Sequence, residues 1–225
     1  MAAGNSVFDE IMEQHKLMKG RPLKEQIEYY VGYYWKMALV TAAALGILIS
    51  FIYSAVTAKE EALCILFVNT FIKDDVDMQA YGAELTELLA LDPDDYSINI
   101  QKDLWIDYEN MDEISSANIQ KLLVLHAAAA IDGMIVNDTY LDANADSGIL
   151  GDLSEVLPPE LMEKYKDRII YVDSSIDEKG EYPALLDVSD ASIMESPTLP
   201  AYFCLSQVTP HPENTIAFLE YLLGE

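Results

Sequence analysis

The chain has 225 residues, 51% of them hydrophobic, and 39 acidic against 13 basic side chains give a net charge of −26. It is too apolar and aromatic to stay disordered, and so acidic a chain lacks the clustered Lys and Arg that nucleic-acid binding requires. Cys64 and Cys204, 140 residues apart, are too few for a disulfide framework and show no metal-ligand spacing. Two buried thiols are the simplest reading, and a single bridge stays open for a domain outside the cell.

The charge is unevenly distributed. Residues 1–36 carry five bases and five acids, so 34 of the 39 acidic residues lie beyond residue 56. Met37 to Val56, "MALVTAAALGILISFIYSAV", is 20 residues without a charge, the length that crosses a hydrocarbon core of about 30 Å. Tyr29, Tyr30, Tyr33, Tyr34 and Trp35 precede it as an interfacial aromatic belt, with Lys36 placed to reach the headgroups. Lys19, Arg21, Lys24 and Lys36 flank the N-terminal side, which predicts a cytoplasmic N-terminus and an extracellular residue 57–225 domain. A signal peptide cleaved after Ala58, at "VTA", is the competing reading, but the apolar run and its leader are longer than such peptides have. The expected organisation is a cytoplasmic leader with a juxtamembrane helix (1–36), a transmembrane helix (37–56) and an extracytoplasmic α/β domain (57–225). Pro22 is suited to the first turn of the helix that runs into the span.

Beyond the span, "ALCILFVNTFI" (62–72) reads as a strand buried on both faces. "DDVDMQAYGAELTELLAL" reads as a helix with acidic residues in its first turn, and "DPDD" (92–95) as a turn. "YSINIQ" (96–101) alternates as a strand, "NIQKLLVLHAAAAI" (118–131) is helical, and "GMIVN" (133–137) is a third strand. This β-α-β-α-β order predicts a mostly parallel, helix-covered sheet. A helix opened by tandem prolines (158–167), strands over 168–172, 182–188 and 201–208, and a final helix starting near Pro212 complete the pattern.

Within this pattern, "AAAAIDGMIVNDTYLDANADSGILGDLSEVLPPELMEKYKDRIIYVD" (127–173) resembles the extracellular solute-binding proteins of ABC importers, which have the type II periplasmic-binding-protein fold. "DGMIVND", "GDLSEVLP" and the tail "TPHPENTIAFLEYLL" carry the resemblance. The leader "PLKEQIEYYVGYYWK" is similar to the aromatic, basic anchors that precede single spans in membrane proteins of clostridial-type Gram-positive bacteria. Because residues 57–225 number 169, the resemblance implies one lobe of a clamp that has two in that family. It implies a non-catalytic domain that binds a small solute or an envelope partner. The alternative is a structural or assembly subunit of a transporter-associated membrane complex without a small ligand.

Candidate chemistry is sparse. "DANADSG" (142–148) sets Asp142, Asn144 and Asp146 at calcium-loop positions, yet Gly148 falls one place late and Leu153 stands where a bidentate Glu is needed. The preferred reading is a short helix capped by Asp138 or Thr139 and closed by Gly148. His126 reads as a packed helix residue and His211 as a cap for the last helix. No catalytic His arrangement, metal site or cofactor motif is expected, and an extracytoplasmic hydrolase is the lesser alternative. Open α/β sheets bind ligands beyond the carboxyl ends of their strands. The candidate ligand-binding residues are therefore Asn69 and Thr70 after the first strand, Trp105 and Tyr108 after the second, and Asn137 and Asp138 after the third. Trp105 and Tyr108 are suited to stacking on a sugar.

Overall fold

The computed structural model describes residues 12–224 apart from 14, 18, 145–148, 175–179 and 207–208, together with all described side chains except those of Tyr30, Tyr33, Tyr34 and Ser174. It divides into two compact units, Met1–Ala58 and Lys59–Glu225. The first is dominated by helix α1, Leu23–Val56, which runs for 34 residues without a break at Gly32. Pro22 stands just before it as N-cap rather than inside its first turn. Trp35–Val56 has a mean hydropathy of 2.2 and no buried share, and it is the one helix among the described residues long and apolar enough to cross a membrane. Lys36 Nζ lies 5.9 Å from the centre of the Trp35 ring, within cation–π range at the foot of the span.

The second unit is built on a six-stranded sheet in the order β2-β1-β3-β6-β5-β4. The strands are β1 (Glu60–Val68), β2 (Tyr96–Leu104), β3 (Gly133–Val136), β4 (Ile169–Ser174), β5 (Gly180–Asp187) and β6 (Tyr202–Leu205). Helices α2 (Met78–Leu88), α3 (Glu113–Ala127), α4 (Asp138–Asn144), α5 (Pro159–Lys164) and α6 (Pro212–Leu222) connect or follow them. β1 pairs in parallel with β2 and β3, as the β-α-β-α-β pattern requires. The expectation of a mostly parallel sheet is corrected, because β3–β6, β5–β6 and β4–β5 are antiparallel. A parallel pair needs a long crossover, usually helical. β4 and β5 are separated only by residues 175–179, and residues 188–201 between β5 and β6 contain turns and no helix.

β1 explains the layering. Leu63, Ile65 and Phe67 enter one core with Tyr81 and Leu85 of α2 and Phe218, Leu219 and Leu222 of α6. Cys64, Leu66 and Val68 enter the opposite core with Leu122 of α3 and Tyr140 of α4. A strand buried on both faces must be apolar at every position, which is why "ALCILFV" shows no alternation. It ends at Val68, four residues before the expected boundary at residue 72, because Asn69 takes a left-handed φ of 53°.

Two helix starts also differ from expectation. α3 begins at Glu113, not 118, because the Asp112 carboxylate accepts the Ser115 N–H at 2.6 Å. α2 begins at Met78 with Asp77 as its cap, so the acidic run precedes the helix. Cys64 and Cys204 are both free and buried. β3 lies between their strands, and two strand spacings of about 4.8 Å exceed the Cα reach of a disulfide.

Candidate functional site

The strand order places the switch in chain direction between β1 and β3, and the carboxyl ends of β1 and β2 lead to the same side. Asn69 organises that end. Its Nδ2 donates to the Ile106 carbonyl at 2.8 Å, its Oδ1 accepts the Ile106 N–H at 2.7 Å, and its own N–H donates to the Leu104 carbonyl at 3.0 Å. An Asn tolerates the left-handed conformation better than most residues, so the same residue turns the chain and stitches the two strand ends together. Its amide is consumed in that task.

The stitch sets Phe71 beside Trp105, with ring centroids 4.9 Å apart and planes inclined by 57°. Both remain open to solvent, at 47% and 43% exposure. A third segment closes the flank: the Glu195 N–H donates to the Phe71 carbonyl at 3.0 Å and Lys73 Nζ donates to the Ser192 carbonyl at 2.6 Å. Between them lies a cleft of about 230 Å³ lined by Thr70, Phe71, Trp105, Lys73, Lys102, Asp74, Asp103 and Glu195 among others. Thr70 is 5% exposed, and its Oγ1 is buried without a hydrogen-bond partner. Leaving a buried hydroxyl unmatched costs about 1–3 kcal/mol. The cleft thus offers an aromatic platform, ammonium donors and carboxylate acceptors, with the unpartnered Thr70 hydroxyl buried in its wall.

The other expected site residues lie elsewhere. Tyr108 is half-buried on the face of α3 and α4, where its hydroxyl accepts from Asn144 Nδ2 at 3.0 Å. Asn137 caps α4 by accepting the Tyr140 N–H at 3.1 Å, so the cap expected from Asp138 or Thr139 is corrected to Asn137. Asp138 instead holds the Tyr202 hydroxyl; burial first, and then this bond, push that phenol up to about 12. Asp142 and Asn144 are helical in α4, and the remainder of the "DANADSG" stretch, with Gly148, lies outside the described residues. Of the six residues, Thr70 and Trp105 share the cleft, with Asn69 as its scaffold. Phe71, Lys73, Lys102 and Glu195 were not singled out by sequence reasoning. Phe71 was hidden inside the apolar run, and the approach of residue 195 is a tertiary event with no local signal.

A second polar cluster also escaped sequence reasoning. Asp132 is fully buried, and its carboxylate accepts from the Cys64 N–H at 2.8 Å, Thr209 Oγ1 at 2.9 Å and the His211 N–H at 2.8 Å. His211 Nδ1 lies 3.1 Å from its second oxygen. His211 therefore occupies the N-cap position of α6, as expected, but its side chain makes no capping bond and is turned to Asp132 instead. These bonds tie β1, the residue before β3 and the start of α6 together. His126 Nδ1 shares a 3.0 Å hydrogen bond with Ser206 Oγ, but Ser206 is buried.

A cavity of about 490 Å³ lies beside residues 164–168 and the end of α6. Its guanidinium, Arg168, is already held by both carboxylate oxygens of Asp190. Among the described residues no three His, Cys, Asp or Glu side chains converge where a metal ion could be held. No family model matches the chain, and neither a curated protein nor a solved structure matches it.

Proposed function

We propose that the chain is a single-pass membrane protein with a cytoplasmic N-terminus, whose outer α/β domain resembles one lobe of a solute-binding protein. It binds, without catalysis, a small polar solute that has one apolar face, of which a sugar ring is the simplest example. The observation that carries this reading is the cleft beyond β1 and β2. There the exposed Phe71–Trp105 pair faces acidic and basic side chains over a buried, unpartnered Thr70 hydroxyl. At about 230 Å³ it falls below the roughly 300–1,000 Å³ of drug-sized sites, which suits one ring. The orientation is supported by the basic flank of the span and by the 34 acids beyond it.

The test uses the full chain in detergent. Trp35 and Trp105 are the two tryptophans, so Trp35→Phe leaves Trp105 as the sole reporter. Monosaccharides that bind are expected to quench or shift Trp105 emission and to raise the unfolding midpoint with concentration. Phe71→Ala is expected to weaken binding about tenfold. If neither sugars nor other small polar solutes alter Trp105 emission or the midpoint, the solute reading is wrong. The second reading, an assembly subunit, is favoured by the outer face of α3, where Leu123 and Val124 are 52% and 67% exposed.

A further inference from the structure

Helix α3 has two unlike sides. Ser115 and Leu122 are buried, and Ile119 packs with Leu122 against the core between them, a spacing that forms one helical stripe. Leu123 lies off that stripe and is half exposed. Beside it a cavity of about 70 Å³ opens between α3 and α4, with Leu122, Ile131 and Met134 among its walls and Tyr108 and Asn144 among its polar members. Those polar groups are engaged with one another. Asn144 Nδ2 donates to the Tyr108 hydroxyl at 3.0 Å and to the Tyr140 carbonyl at 2.9 Å, and the His126 ring is tied to Ser206. The cavity therefore suits an apolar group, and its volume is that of a side chain rather than of a free ligand.

The surrounding charge limits what can carry that group. Asp107 and Glu109 flank Tyr108 in the chain, Asp142 lies on α4, and all three are exposed. Beyond residue 56 the chain has 34 acids against 8 bases. A second copy would bring the same charge and be repelled, and so would an anionic lipid surface; a basic partner would be drawn in.

Resting on the assembly reading rather than on the solute cleft, we propose that this face docks a basic segment of another protein. One bulky apolar side chain of that segment fills the cavity between α3 and α4, while its Lys or Arg residues lie against Asp107, Glu109 and Asp142. The apolar anchor supplies most of the affinity and the charges supply steering and salt dependence.

The test measures fluorescence anisotropy of short labelled amphipathic peptides on the full chain in nanodiscs of zwitterionic lipid. One peptide is lysine-rich with a single Phe anchor, one has the anchor replaced by Ala, and one carries Glu in place of Lys. The Lys–Phe peptide is expected to bind, and the Ala peptide and the half-exposed Leu123→Lys variant are each expected to weaken binding about tenfold or more. The Glu peptide is expected not to bind, and Glu109→Lys is expected to flatten the salt dependence. The proposal is overturned if no peptide binds, if the Ala peptide binds as well as the Phe peptide, or if Leu123→Lys has no effect. It is also overturned if sedimentation shows a dimer that Leu123→Lys dissolves, which would assign the face to a second copy. Trp105 emission reports the solute cleft separately, so failure of one site is distinguishable from failure of the other.

Discussion

Asp132 is a carboxyl group with no exposure, tolerated because the Cys64 and His211 N–H groups and the Thr209 hydroxyl donate to it and the His211 ring lies against it. Replacing it by Ala strands two main-chain N–H groups and leaves the Thr209 hydroxyl only its longer contact to Thr215 Oγ1 at 3.3 Å, at about 3–5 kcal/mol for breaking such a buried network. His211→Ala removes one of the four contacts, from a side chain that is 31% exposed, and is expected to cost far less. Urea midpoints of the two variants at unchanged slope would check this; equal losses would show that the imidazole, not the carboxylate, is the anchor. None of this was legible in the sequence. "IDGM" carries an acid before a strand, and its partners are 68 to 79 residues away. Asn69 was legible as a strand-end residue but not as a stitch, because the amide's target, Ile106, is set by the parallel register of β1 and β2.

The elements themselves were read well where one local rule decided them. The two-sided apolar run of β1, the prolines opening α5 and the helical stripe of α6 each follow from burial or backbone chemistry alone. The antiparallel returns that replace crossovers were not legible, since strand direction leaves no trace in a strand's own residues. α1 is the element whose sequence signal is strongest, and the proposed cytoplasmic N-terminus rests on the bases before Trp35. Protease added to intact protoplasts is expected to digest the domain that follows α1, and complete protection of that domain would reverse the proposed orientation.

At the scale of the whole domain, burial sets the response to alkali. It pushes the Cys64 and Cys204 thiols up to about 12 from an ordinary value of 9.0, Cys64 with added repulsion from Glu61 and Asp132. The Tyr81 and Tyr140 phenols also rise, chiefly through burial. These acids hold their protons more tightly in the folded state. The unfolded chain therefore binds fewer protons above about pH 9, and stability falls from there toward pH 12 while staying flat with respect to these groups below pH 9. A thiol reagent at pH 8 is expected to find neither cysteine until the domain unfolds, and prompt labelling of the native protein would contradict the burial.

The strand order has a consequence in time. β2, β1 and β3 form one ladder and β5 and β4 another, and only the four residues of β6 join them. That joining strand is the last of the six to be synthesised, and Thr209 and His211, which close on Asp132, come later still. Until Tyr202–Leu205 is in place, β3 and β5 each present an open edge, the feature that invites pairing with other chains. The nascent protein is therefore most exposed to mispairing just before Tyr202–Leu205 arrives, and a chain cut short before residue 202 would leave two half-sheets with no strand to hold them together.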